Sequence, residues 1–74
     1  MSMFEDLDFM KEKMTLQELR GYKEVKEAEI KKWEIRAQVL ESESIREQLQ
    51  YHMEILVKIR KAIAYKEGLE CQKN

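Results

Sequence analysis

The sequence predicts an all-α fold, an antiparallel hairpin of two long helices preceded by a short one. Three observations carry that prediction. Pro is absent and Gly occurs only twice, so little interrupts a helix. Ser/Thr-x-x-Glu pairs recur just ahead of amphipathic stretches, and apolar residues return at intervals of three and four.

The pairs are Ser2/Glu5, Thr15/Glu18 and Ser44/Glu47. In each, the hydroxyl can accept from a first-turn amide while the Glu reaches back to the cap residue's amide. They place helices over 3–13, 16–41 and 45–67 in one small domain, 1–74. Gly68 suits a left-handed position after the last helix, which leaves 69–74 as a frayed tail.

The first segment sets Phe4, Leu7, Met10 and Met14 at helical spacing with Phe9 beside them, among Glu5, Asp6 and Asp8. It is too short to hold a helix alone. It is either a lid on the hairpin or an acidic amphipathic docking segment built on Phe4, Leu7, Phe9 and Met10.

The middle segment carries two stripes. Leu16, Leu19, Tyr22, Ile30, Trp33, Ala37 and Leu40 share a broad face, interrupted by Lys23 and Lys26. Gly21, Val25, Ala28, Ile35 and Val39 form another, with Lys32 in the gap. One neighbour requires one stripe, so two stripes imply two neighbours. Gly21 fits either close approach of another helix or a frayed, kinked first turn.

In the last segment Ile45, Leu49, His52, Leu56, Ile59 and Ile63 make an unbroken 4-3-4-3-4 seam. Apolar residues flank it on both sides, and only the sector of Glu47, Gln50, Glu54 and Lys61 is cleanly polar. Such a helix needs more cover than 74 residues supply, which predicts a homodimer or larger bundle. The expected interface is Val25, Ile35, Val39 and the Ile45–Ile63 seam. His52 is expected to fix register within that seam.

The turn is placed at Glu41-Ser42-Glu43-Ser44, where the seam jumps five residues from Leu40 to Ile45. An 11-residue repeat through Glu41 and Gln48 would absorb the jump. The alternative is then one long coiled-coil helix of roughly 80 Å.

Composition narrows the function. Charged residues make up 39% of the chain, yet the net charge is −1 with both signs interspersed, which argues against a nucleic-acid tail. The longest apolar run is Ile55-Leu56-Val57, far short of a membrane span. Acidic Glu5, Asp6 and Asp8 stand where a signal peptide needs basic residues, so the expected location is cytoplasmic. Cys71 has no second cysteine to pair with, and the lone His52 has no companion ligand or nucleophile at helical spacing. No residue is assigned a catalytic, cofactor-binding or metal-ligating role.

The stretch Ser44-Ile45-Arg46-Glu47-Gln48-Leu49-Gln50 resembles the start of the second helix in the small two-helix aspartyl-phosphate phosphatases of spore-forming bacteria, whose signature runs Ser-Gln-Glu-Leu-Asp. The resemblance implies a hairpin that removes a phosphoryl group, but the family's Asp is missing here. The leading expectation is therefore non-enzymatic: a small helical protein that binds itself and modulates a larger protein. A regulator of transcription or replication touching nucleic acid is the alternative, and the phosphatase a further one.

Overall fold

Local capping chemistry sets most of the helix starts. The computed structural model describes residues 5–72 and contains three helices: α1 (Leu7–Lys13), α2 (Leu16–Val39) and α3 (Glu43–Gln72). Asp6 opens α1 in an extended conformation, and its side chain accepts from the Asp8 amide at 3.1 Å. This corrects the expected start at residue 3, because a helix cannot run through an extended Asp6. Ser2 and Phe4 lie outside the described residues.

The Thr15 box forms as expected. The Glu18 amide donates to Thr15 Oγ1 at 3.1 Å, and the Thr15 amide donates to Glu18 Oε1 at 2.9 Å. The Ser44 box does not open α3. That helix starts at Glu43, with the Arg46 amide donating to the Ser42 carbonyl at 3.2 Å. Ser44 therefore lies in its first turn, where Glu43 complements the helix dipole.

At the other end, α3 continues through Gly68 to Gln72, and no glycine has positive φ. The expected left-handed cap and the fraying of 69–72 are thus corrected. Glycine weakens a helix by roughly 1 kcal/mol relative to alanine but does not compel it to stop.

The rod alternative fails at Leu40, whose extended backbone ends α2. Beyond it α2 and α3 lie side by side. Arg20 meets Glu67 at 3.3 Å, Glu27 meets Arg60 at 3.8 Å and Lys26 meets His52 at 3.2 Å, so the two helices run antiparallel.

The 4-3-4-3-4 seam of α3 is used inside this hairpin. Ile59 is fully buried and Leu56 nearly so, while Ile45, Leu49, His52 and Ile63 are half-buried. This corrects the expectation for Ile59, whose complete burial within one chain leaves it no surface for another, while Leu56 keeps 8% of its own. Leu19, Lys26 and Ile30 are the buried positions of α2.

Helix α1 crosses one flank of α3. Met10, at 0% exposure, and Met14 join Leu19, Ile55, Ile59 and Ala62 in one core, with Leu7, Phe9, Tyr22 and Ile63 packed around it. Lys58 Nζ donates to the Glu5 carbonyl at 3.4 Å, the Tyr51 hydroxyl donates to the Glu5 carboxylate, and Lys11 sits over the Tyr65 ring at 5.1 Å. The segment expected as either a lid or a docking element packs against α3 in this structure. Met10 is spent in the core, and Leu7 and Phe9 are half-covered.

No helix is long and apolar enough to cross a membrane among the described residues.

Candidate interaction surface

Two features of the hairpin bear on function: a polar cluster within the seam and the apolar surface that folding leaves uncovered. The cluster forms where α2 puts a lysine on its inner face. Lys26, only 9% exposed, brings Nζ to 3.3 Å from Glu29 Oε2 and 3.2 Å from His52 Nδ1. His52 Nδ1 is also 3.2 Å from Glu29 Oε2. When Nδ1 is bare it accepts from Lys26; when it carries the proton it donates to Glu29. Either tautomer finds a partner. Trp33 stacks on the imidazole at 6.0 Å between centroids, and Tyr51 meets it edge-on at 5.4 Å.

The cluster joins α2 to α3 through Lys26 and His52. Among the described residues no group of three or more His, Cys, Asp or Glu could hold a metal, and no buried side-chain polar atom lacks a hydrogen-bond partner. His52 was legible as a seam residue; its partners Lys26 and Glu29 were not. Their three-residue spacing on the inner face of α2 was the available signal.

Two tyrosines and one glutamate are shifted by their surroundings. Burial raises the Tyr22 phenol, with the Glu5 and Glu29 charges adding to it. The hydrogen bond to Glu5 raises the Tyr51 phenol. Hydrogen bonds from the Thr15 backbone and side chain lower the Glu18 carboxyl.

The uncovered surface has two parts. On the outer side of α2, Val25, Ile35 and Val39 are 55%, 62% and 76% exposed, and Gly21 and Ala28 lie along the same line. Helix α2 runs unbroken through Gly21, and nothing lies within 4 Å of where a Cβ would stand there. The frayed-turn reading of that glycine is thereby removed. Close approach by α1 or α3 does not explain it either.

The second part is a groove of about 320 Å³ between α2 and α3. Ile30 and Leu56 form its floor, half-exposed Met53 and Val57 one wall, and Glu27, Lys31, Glu34 and Arg60 its rim. Met53, Val57 and Arg60 lie on the opposite flank of α3 from Ile55, Lys58 and Ala62, so the groove faces away from α1.

Of the expected interface residues, Val25, Ile35 and Val39 thus remain at the surface, Leu56 and Ile59 are buried, and Ile45, Leu49, His52 and Ile63 are half-buried. The molecule is an all-helical hairpin with a short covering helix. No family model matches the chain, and no curated protein or solved structure matches it in comparison.

Proposed function

We propose that this chain is a non-enzymatic helical interaction module, working in the cytoplasm, that lays the outer face of α2 against a helix of a larger protein and modulates it. The observation that supports this reading is the exposed line Val25–Ile35–Val39. These aliphatic side chains recur at coiled-coil spacing, and among the described residues they stay exposed. A helix of the partner bearing its own apolar stripe would lie along it, with Gly21 and Ala28 letting the backbones approach.

The nucleic-acid alternative has less support, since Arg20, Lys26 and Arg60 each have a glutamate partner. The phosphatase alternative lacks the aspartate its chemistry needs.

The test is cross-linked capture in native cells with the unaltered chain and with a Val25→Glu/Ile35→Glu/Val39→Glu variant. The expected result is a protein retained by the first and lost by the second, with thermal unfolding of the hairpin unchanged. Equal capture by both would remove the outer face of α2 from the proposal.

A further inference from the structure

We propose that the α2–α3 groove facing away from α1 is a self-association site. There a second copy of the chain seats the same groove to make a four-helix bundle about a two-fold axis parallel to the helices. Shape, apolar content and charge each point to this occupant.

The molecule is thin, 50 × 21 × 14 Å, so two copies stacked through the broad face give the proportions of a bundle.

The groove offers the right chemistry for its own copy. Its floor is Ile30 and Leu56, and Met53 and Val57 stand half-exposed beside it as knobs for the facing groove. Its rim carries two glutamates, Glu27 and Glu34, and two cations, Lys31 and Arg60. A partner of one dominant sign would leave half the rim opposed by like charge, whereas a balanced rim suits an isologous contact.

The order of those charges selects the axis. Glu27 and Arg60 stand at one level, Glu34 and Met53 at the other end of the groove. A two-fold axis along the bundle places α2 over the copy's α3, so Glu27 of each chain meets Arg60 of the other in an alternating square. A two-fold across the bundle would instead set Glu27 against Glu34. The face differs from the outer side of α2 assigned above, so either reading can fail while the other stands.

The test is mass by sedimentation equilibrium from 1 to 100 µM, concentrations on the order of those at which standard interfaces form. The unaltered chain should show twice its 9.0 kDa mass. Val57→Asp, at a position already half-exposed in the single chain, should return the single-chain mass with helicity retained. Val25→Asp on the outer side of α2 should leave the doubled mass in place.

Glu27→Arg and Arg60→Glu should each weaken self-association by roughly 10- to 100-fold, through like charges meeting at the square. Mixing these two variants should restore the doubled mass. The pair within each chain stays mismatched in the mixture, so restoration reports contact between chains alone. A single-chain mass throughout the range overturns the proposal. So does a doubled mass that survives Val57→Asp, or a mixture that stays dissociated.

Discussion

Lys26 and His52 meet across the α2–α3 seam with Nζ 3.2 Å from Nδ1, and Glu29 bridges them from the next turn of α2. Glu29 is the residue on which both depend. Glu29→Ala should destabilise the hairpin by about 1–3 kcal/mol, because it strips a carboxylate from a nearly buried ammonium. Lys26→Met keeps the aliphatic stem and removes the charge, so it should be neutral or stabilising. Urea unfolding of both variants checks this, and a larger loss for Lys26→Met would reverse the assignment.

Ile59 has no exposed surface, while Val57, two residues earlier, is 48% exposed. Ile59→Ala should cost about 2–5 kcal/mol. Val57→Ala should fall within about 0.5 kcal/mol in the single chain. Since 74 residues support about 4–11 kcal/mol in total, the first change removes much of the stability. Chemical denaturation at a concentration low enough to suppress association measures both.

The Thr15 cap should register in acid. Glu18 is held below its ordinary value of 4.5 by hydrogen bonds from Thr15. A lowered carboxyl adds stability that is present above its unfolded pKa and lost as pH falls through the folded one. Melting temperature should therefore drop as pH falls below about 4.5, and Thr15→Ala should flatten part of that drop. At neutral pH the same substitution should cost about 1 kcal/mol.

Tyr51 reports on whether the approach to α1 is docked. Its hydrogen bond to Glu5 raises the phenol above 10.0, and the folded state favours the neutral form. The stabilisation is complete below the unfolded pKa and disappears as pH rises through the folded value. In a Tyr22→Phe background, which removes the other raised phenol, absorbance titration near 295 nm should show a late-ionising tyrosine that moves down in Glu5→Gln. An unchanged titration would mean that Glu5 does not hold Tyr51.

The hairpin itself sets a distance. Spin labels at Glu27 and Glu54, with labelled chains diluted into unlabelled ones, should lie well within 30 Å, since α2 and α3 are neighbours at about 10 Å. A continuous helix would separate them by about 40 Å. One distance near that longer value would rule the hairpin out.

The sequence by itself determined the helices. Thr15 and Glu18 sit where the cap needs them, Pro is absent, and the apolar spacing of α2 and α3 is plain in the residues. These are local properties, settled within one or two turns by neighbours in the chain. Local signals also misled, because several residues can each supply an adequate cap. Ser44 yielded to a start at Glu43, and Gly68 was carried through a helix that it weakens but does not end. Only the tertiary structure decided which apolar stripe faces inward. The Ile45–Ile63 seam and the Val25–Val39 line have the same spacing, and periodicity cannot say which neighbour each will meet. Folding back at Leu40 used the first, and α1 took Met10 into the same core. It left Val25, Ile35 and Val39 outside. The pairing of Lys26 with His52, 26 residues along the chain, was invisible for the same reason: a contact between helices depends on their register, and register exists only after they pack.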